Sequence, residues 1–195
     1  IRTRCDWGPT LDTKEIVLVV ARQYVHYVSR TSTYCVHYLL ILMIFNQYYD
    51  LVNKSLSSLI DSLGESSIYD PIKYFFELPS KRIRPIATLI SNKLFNNDDD
   101  FAIPAALANE VFHNFTLVHD DIMDSSKIRR GNDTVHIKWD LNQAILSGDS
   151  MLILSYTLLE KYDPEIQKEL LKLFNETALL ICEGQQLDLD FEQKN

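Results

Sequence analysis

Glycine and cysteine are both scarce in this chain, with five glycines and three cysteines among 195 residues. Neither G-x-G-x-x-G nor G-x-x-x-x-G-K-[ST] occurs, which excludes the glycine-rich loops that hold phosphate through backbone amides. A phosphate bound here would therefore need cationic side chains. The cysteines, Cys5, Cys35 and Cys182, are odd in number and form no C-x-x-C pair. This pattern excludes a cysteine zinc site and favours a reducing compartment, which predicts a cytoplasmic protein.

An excess of positive charge is also absent. The formal net charge is −8, whereas a nucleic-acid-binding surface needs a basic face, so no nucleic-acid partner is expected. The apolar run 36–45 is well short of the roughly 20 residues that span a bilayer. Arg22 and Arg30 precede this run, which leaves a secretory signal or a membrane anchor as an alternative, but no small-residue cleavage site comes after it.

The hydrophobic pattern divides the chain near residue 46. Residues 1–46 differ in pattern from the rest of the chain, and we interpret them as an atypical N-terminal extension of unclear status. From Tyr48 onwards apolar residues recur at three-to-four spacing without strand alternation, which predicts an all-α fold for 47–195. Caps and prolines place the helices, and the predicted spans are 51–63, 71–78, 86–94, 103–125, 141–162 with Asp140 as N-cap, and a last helix from Pro164.

A cluster of acidic residues ends the apolar segment that begins at Val111. His113, Asp120 and Asp124 are separated by seven and four residues, so their side chains leave one face of a helix, with Asp121 one step around it. Clustered carboxylates repel each other unless a cation lies among them. Mg²⁺ takes one or two carboxylates, several waters and phosphate oxygens. The alternative is a solvated acidic helix end without function.

Three further clusters carry charge or polarity. Lys81, Arg82 and Arg84 lie between two prolines and form either a solvated basic turn or a clamp for a diphosphate. Arg129 and Arg130 come soon after the aspartates and either balance their charge or bind a metal-bound phosphate. A polar pair one turn apart on the last helix indicates a lined cavity or a helix that emerges into solvent; it consists of Gln185 and Asp188.

Together these motifs resemble the trans-isoprenyl diphosphate synthases, or polyprenyl synthetases. The resemblance runs from Tyr48 to the end and depends on K-R-I-R-P, H-N-F-T-L-V-H-D-D-I-M-D, R-R-G-x-x-T-V-H, A-I-L-S-G-D and E-G-Q-Q-L-D-L-D, in this order. It implies an isoprenoid synthase-type helical bundle around a central cavity. It also implies a Mg²⁺-dependent prenyltransferase that condenses isopentenyl diphosphate with an allylic diphosphate, and a homodimer.

The resemblance assigns roles to individual positions. Asp120 and Asp124 correspond to magnesium ligands with Asp121 between them, and these three aspartates and Arg129 are the catalytic residues. Arg129 corresponds to the contact with the allylic diphosphate. The residues that correspond to isopentenyl diphosphate ligands are Lys81, Arg84, His113 and Arg130. Gln185 and Asp188 correspond to positions that line the cavity near the allylic substrate and its metals.

In this family, the bulk of residues before the first aspartate sets product length. Phe115 lies five residues before Asp120 and Thr116 four before it. A large aromatic side chain at the former position resembles synthases that stop at farnesyl or geranylgeranyl diphosphate. We therefore expect Phe115 to close the floor of the product tunnel.

Two departures from the family pattern stand out. Pro79 and Ser80 replace the usual pair of glycines before the lysine, and proline cannot adopt positive φ. The second aspartate-rich motif and the Lys-Thr pair before it are missing, so we expect a fragment without the C-terminal helices that is inactive alone. The alternatives are a non-catalytic subunit of a heteromeric prenyl synthase, a class I terpene cyclase, and a plain helical interaction domain.

Overall fold

The computed structural model describes residues 32–192, and it describes side chains from residue 38 to residue 191. The prediction of an all-α fold is confirmed. The helices are α1 (Ser32–Ser62), a 3-10 turn (Ser67–Tyr69), α2 (Asp70–Glu77), α3 (Ile83–Lys93), α4 (Asp99–Met123), α5 (Val135–Lys138), α6 (Leu141–Leu159) and α7 (Pro164–Glu192). Part of the predicted extension, residues 1–31, lies outside the described residues.

Helix α1 begins earlier than predicted. We expected it to start after Tyr48, but it begins at Ser32, because residues 32–47 contain neither proline nor glycine to interrupt it. The chain divides into two units between Gln47 and Tyr48. Before this boundary several apolar side chains of α1 are exposed, Leu40, Ile41 and Met43 among them. None of the helices that the structure describes is long and apolar enough to cross a membrane.

The core of the second unit forms where α4 packs on α6. Tyr162, just beyond α6, bonds Phe101 near the start of α4, and His119 near the end of α4 contacts the Ile145 carbonyl. The two helices are therefore antiparallel. The buried residues of α6 include the small Ala144, Ser147 and Gly148, and a Cβ atom at Gly148 would collide with the His119 ring of α4. The fully buried core residues include Ile72, Phe75, Ile86, Leu89, Val111, Val118, Ala144 and Met151.

Helix α4 also begins earlier than predicted, at Asp99 instead of Ile103. Asp98 caps it by accepting a hydrogen bond from the Phe101 amide at 3.2 Å, a favourable arrangement for an N-cap. Pro104 lies inside the helix, where proline normally interrupts the hydrogen-bond ladder. In the adjacent position of the ladder the Tyr162 hydroxyl bridges two backbone groups, because it accepts from the Ala105 amide at 3.1 Å and donates to the Phe101 carbonyl at 2.7 Å.

A short antiparallel ribbon lies after α4, where we had predicted no strand. Strands β1 (Ile128–Arg129) and β2 (Asn132–Asp133) are joined by Arg130 and Gly131. Both joining residues have positive φ, 52° and 81°, as a two-residue type I′ hairpin turn requires. A ribbon with two residues in each strand is too short to show alternation in the sequence. It fixes the orientation of the paired arginines.

Helix α7 begins at Pro164 as predicted, but much of its apolar stripe is exposed. Phe174 packs against Phe112 and Tyr156, with ring centroids 4.9 and 5.2 Å apart. By contrast Leu173, Leu180 and Leu187 are each more than half exposed. Contacts of α7 with the described core include Phe174, a hydrogen bond from the Tyr156 hydroxyl to Asn175 Oδ1 at 2.6 Å and, further along, Gln185 in the candidate site.

Candidate active site

The candidate site is built around the C-terminal turn of α4. Asp120, Asp121 and Asp124 lie at the end of the helix where backbone carbonyls already produce negative potential, and the last turn holds no basic residue. Carboxylates at this end are destabilising unless cations compensate them. The turn closes in a Schellman motif, with Ser125 at φ 52° and the Ser126 amide donating to the Asp121 carbonyl at 2.9 Å. The sequence thus concentrates negative charge at a well-formed helix end.

Asp121 faces the interior, unlike its two acidic neighbours. Its side chain is 1% exposed, and both carboxylate oxygens accept hydrogen bonds from Arg129 Nε at 2.7 and 2.8 Å. Burial raises the pKa of Asp121, and the bond from Arg129 opposes this change. The carboxylate of Asp121 is thus committed to a buried ion pair that orients Arg129.

Asp120 is partly exposed and receives two partners from different elements. Arg129 Nη2 lies 3.5 Å from Asp120 Oδ2, and the exposed fraction of the Asp120 side chain is 32%. Gln185 Nε2 on α7 donates to Asp120 Oδ1 at 3.1 Å. Asp124 is exposed at the C-cap of α4. The structure therefore brings Asp120, Arg129 and Gln185 into one cluster.

Arg130 carries an unmet hydrogen-bond donor. It lies over the ring of Phe75, 5.7 Å from guanidinium carbon to ring centroid, and its Nη1 atom is buried without a partner within the described residues. Burial and the charge of Arg82 lower the pKa of Arg130, while Glu110 opposes them. Buried donors are nearly always satisfied, and a guanidinium group favours an anion such as phosphate.

His113 lies beside Arg84, two turns before Asp120 on α4. Arg84 Nη1 is 3.1 Å from His113 Nε2, and since guanidinium can only donate, this ring nitrogen accepts and the imidazole is neutral. Burial, followed by the charges of Arg84, Arg130 and Arg129, lowers the pKa of His113 to about 4. A neutral histidine among cations leaves the cluster ready for an anion.

The titration of His113 gives a test of this geometry. The unfolded chain protonates this histidine near pH 6.5 and the folded chain only near pH 4, so between these values the unfolded state binds more protons. The free energy of unfolding is therefore not reduced by His113 above about pH 6.5, and it decreases as pH falls from 6.5 towards 4. We expect an NMR titration of the His113 ring to have its midpoint near 4. The Arg84→Met variant should move this midpoint upwards, and a wild-type midpoint of 6.5 or above would contradict the arrangement.

Of the three cations between Pro79 and Pro85, Arg82 points into the protein. Arg82 is 5% exposed and pairs with the buried Glu110, Nη1 to Oε1, at 2.7 Å. Lys81 and Arg84 are exposed. The hypothesis that all three cations form a clamp is therefore corrected for Arg82, whose guanidinium is used inside the protein.

The predicted chain-length residues lie on α4 next to an aromatic cluster. The Phe115 ring packs against those of Phe112 and His119, with centroids 5.5 and 4.7 Å apart. Thr116 Oγ1 donates to the His113 carbonyl at 2.8 Å. Gly148 on α6 accommodates His119, because a Cβ atom at Gly148 would collide with the histidine ring. The position of Phe115 thus depends on how closely α6 approaches α4.

Two predicted residues are not brought into the cluster by direct contacts. Within residues 38–191, Lys81 and Asp188 make no hydrogen bond or ion pair, and both are exposed. Asp188 lies one turn beyond Gln185 on α7, and of these two residues it is Gln185 that contacts Asp120. Their assigned roles stay predictions.

Three further polar residues were not predicted from the sequence: the buried Glu110 and Asn114 and the partly buried His136. Glu110 lies three residues before His113, and this helical spacing is a signal that could have found it. Asn114 is fully buried, and neither side-chain atom has a partner within the described residues. His136 Nδ1 is likewise buried without a partner in that part of the chain, and His136 is among the residues that influence Asp121 electrostatically. The sequence R-R-G-N-D-T-V-H contains this histidine, but its spacing gives no sign of that influence.

The family model for polyprenyl synthetase matches residues 65–195. The chain belongs to the polyprenyl synthetase family. A curated relative from Methanosarcina mazei, named geranylgeranyl diphosphate synthase, is 36% identical over 145 residues, which are 73% of this chain and 45% of the relative. The resemblance found in the sequence is thereby confirmed. This chain spans about half the length of the curated polyprenyl synthetases it matches.

Solved structures of polyprenyl synthetases agree with the fold. A geranylgeranyl pyrophosphate synthase matches with a TM-score of 0.74 and 47% identity, over 76% of this chain and 45% of that one. A geranylgeranyl pyrophosphate synthetase from Geoglobus acetivorans matches with a TM-score of 0.71 and 36% identity, over 76% and 49%. The predicted isoprenoid synthase-type helical fold is confirmed.

Enzymes of the polyprenyl synthetase family use a divalent metal, and the residues present fit one. Among the residues that the structure describes, no three His, Cys, Asp or Glu side chains are grouped to hold a metal by themselves. Mg²⁺ needs no such group, because one or two carboxylates suffice when waters and phosphate oxygens complete its shell. Asp120 and Asp124 both reach solvent from the last turn of α4 and supply that number of hard oxygen donors.

Proposed function

We propose that this chain is the N-terminal part of a Mg²⁺-dependent prenyltransferase. It would condense isopentenyl diphosphate with an allylic diphosphate to give a short-chain product, farnesyl or geranylgeranyl diphosphate. The observation that carries the proposal is the buried, unpartnered Nη1 of Arg130, next in sequence to an arginine that binds two aspartates. Cations oriented by carboxylates beside an unmet donor suit a metal-bound diphosphate.

The proposed roles depend on the surroundings of each residue. The reaction breaks the allylic carbon–oxygen bond, diphosphate leaves with the electron pair, the isopentenyl double bond attacks the cation, and a proton is lost. Mg²⁺, when bound by Asp120 and Asp124, would supply positive charge to the departing diphosphate. Arg129, oriented by Asp121, would donate to the allylic diphosphate. Donors already oriented before the reaction stabilise such developing charge effectively.

The second diphosphate would bind near His113, two turns before Asp120 on α4. Lys81, Arg84, His113 and Arg130 are the residues proposed for isopentenyl diphosphate. Support comes from the contact of Arg84 with a neutral His113 and from the influence of Arg130 on the same imidazole. A class I terpene cyclase needs no second diphosphate, and a non-catalytic subunit typically loses aspartates of the first motif. Both alternatives are therefore less well supported.

The substrate class can be tested by direct turnover. The intact enzyme is supplied with isopentenyl diphosphate, an allylic diphosphate and Mg²⁺, and products are separated by chain length. We expect elongated prenyl diphosphates and none after chelation of the metal. Cyclised hydrocarbon would instead indicate a terpene cyclase, and no product from a folded enzyme would indicate a non-catalytic subunit.

Phe115→Ala in the intact enzyme is expected to lengthen the products by at least about one isoprene unit. The ring packs against Phe112 and His119, so its removal opens space beside α4, at an expected cost of about 1–3 kcal/mol in stability for this half-buried side chain. Product analysis by chromatography gives the readout. Phe95→Ala, at a ring that is 92% exposed, is the matched control. An unchanged product profile would remove the assignment, and substitution of Thr116, tied to its own helix, should matter less.

We also propose a homodimer in the cytoplasm. The family resemblance implies the dimer, and the exposed free thiol of Cys182 agrees with a reducing compartment. Sedimentation of the intact enzyme would measure its oligomeric state directly.

A further inference from the structure

Arg82 is the central cation of K-R-I-R-P and is used inside the protein. Its guanidinium donates to Glu110 Oε1 at 2.7 Å, to the Phe76 carbonyl at 2.7 Å and to Asn53 Oδ1 at 3.3 Å. These partners come from α4, α2 and α1. One side chain thus ties the segment before α3 to three helices.

The backbone at Arg82 is strained in a way that directs its neighbours. Arg82 has φ 50°, a left-handed conformation that costs a non-glycine residue of order 1–3 kcal/mol when the surroundings impose it. Glycine would adopt this conformation without strain, yet the position holds an arginine. The buried hydrogen bonds of Arg82 therefore maintain a turn that leaves Lys81 on one side and Arg84 on the other exposed to solvent.

The K-R-I-R-P segment and α4 make a second contact, closer to the surface. Arg84 Nη1 contacts His113 Nε2 at 3.1 Å, and His113 lies one turn after Glu110 on α4. The buried pair Arg82–Glu110 and the outer pair Arg84–His113 are therefore successive contacts between the K-R-I-R-P segment and one face of α4. Movement of the inner pair would displace the outer one.

Glu110 also influences a second arginine, Arg130. Its charge acts on Arg130, on which Arg82 acts in the opposite direction, so the single buried carboxylate of Glu110 offsets two guanidinium groups. Arg130 Nη1 has no partner within the described residues. Glu110 thus acts electrostatically on one of the cations proposed for isopentenyl diphosphate, and its helix contacts another through His113 and Arg84.

We propose that Arg82 and Glu110 form a positioning pair that holds Lys81, Arg84 and His113 in the arrangement that binds one diphosphate group. This inference rests on the proposed function. A buried ion pair is a poor device for stability alone, because its desolvation cost cancels much of its attraction, and apolar residues of similar volume often replace it without loss. The pair should therefore matter more to binding than to folding.

The test compares Arg82→Met/Glu110→Met, which removes both charges together, with wild type. The Phe76 carbonyl and Asn53 Oδ1 lose their donor, so we expect the 195-residue chain to stay folded with a modestly lower midpoint of urea denaturation. Its affinity for inorganic pyrophosphate, measured by calorimetry, should fall about tenfold. In the intact enzyme, KM for isopentenyl diphosphate should rise by a similar factor, with KM for the allylic substrate and kcat unchanged. A merely structural role would lower the free energy of unfolding and kcat and would raise KM for both substrates together.

Control variants keep the test decisive. Lys54→Met removes an exposed cation next to Asn53 and should change neither stability nor pyrophosphate affinity. If the double variant fails to fold, Arg82→Lys retains the charge but loses the fork of donors, and it should raise KM for isopentenyl diphosphate selectively. Unchanged KM in a folded variant, or equal losses for both substrates, would overturn the positioning role. If wild type itself neither binds pyrophosphate nor elongates an allylic substrate, the proposed function fails together with this inference.

Discussion

Asp120→Asn in the intact enzyme is expected to lower kcat about a thousandfold, equivalent to about 4 kcal/mol of transition-state stabilisation. Asp120 offers a partly exposed carboxylate at the end of α4, where Mg²⁺ is proposed to bind together with Asp124. An amide of the same size removes the negative charge but can still accept a hydrogen bond from Gln185. The measurement is steady-state turnover at saturating Mg²⁺ with isopentenyl and allylic diphosphates.

Asp100→Asn is the matched control, since Asp100 is an exposed aspartate in the first turn of the same helix. It should leave kcat unchanged and cost only a few tenths of a kcal/mol through the helix dipole. If Asp120→Asn retains wild-type turnover while folded, the assignment of Asp120 as a metal ligand is wrong.

Asp121→Asn is expected to act mainly on stability. Both oxygens of this buried carboxylate accept from Arg129 Nε, so asparagine would place an amide donor against a guanidinium donor. Breaking one partner of a buried pair typically costs about 3–5 kcal/mol, and the partial exposure of Arg129, 23%, places the expected loss near the lower end. Urea denaturation of the 195-residue chain measures it.

The same chain carrying Asp120→Asn provides the comparison for stability. Its contact with Arg129 is longer, 3.5 Å, and partly exposed, so the free energy of unfolding should fall by less than about 1 kcal/mol. Asp120 would then be required mainly for turnover and Asp121 mainly for stability. Equal stability losses at the two positions would refute this division.

Local signals in the sequence predicted the elements that local chemistry determines. Asp140 accepts from the Gln143 amide at 2.8 Å, as an N-cap should, and Pro164 begins α7. The spacing of Asp120 and Asp124 predicted that their side chains leave one face of a helix, and the structure places Asp120 in the last turn of α4 and Asp124 at its C-cap. These features depend on residues within one or two turns, so periodicity and cap chemistry suffice to identify them.

Features that depend on distant partners could not be predicted in this way. Arg82 looks like its neighbours Lys81 and Arg84 until Glu110, 28 residues later in the chain, is placed against it. The backbone of α4 beside Pro104 is bridged by the hydroxyl of Tyr162, 57 residues beyond Ala105 in the chain. Periodicity likewise predicted an apolar stripe on α7, but it carries no information about which residues cover that stripe.

A crystal structure of this chain with Mg²⁺ and inorganic pyrophosphate would test the proposed site most directly. We expect Mg²⁺ about 2.0–2.1 Å from carboxylate oxygens of Asp120 and Asp124. Asp121 should remain on Arg129, and Arg130 Nη1 should lie within hydrogen-bonding distance of a pyrophosphate oxygen. A metal bound to Asp121 instead, or pyrophosphate bound away from both arginines, would contradict the assignment.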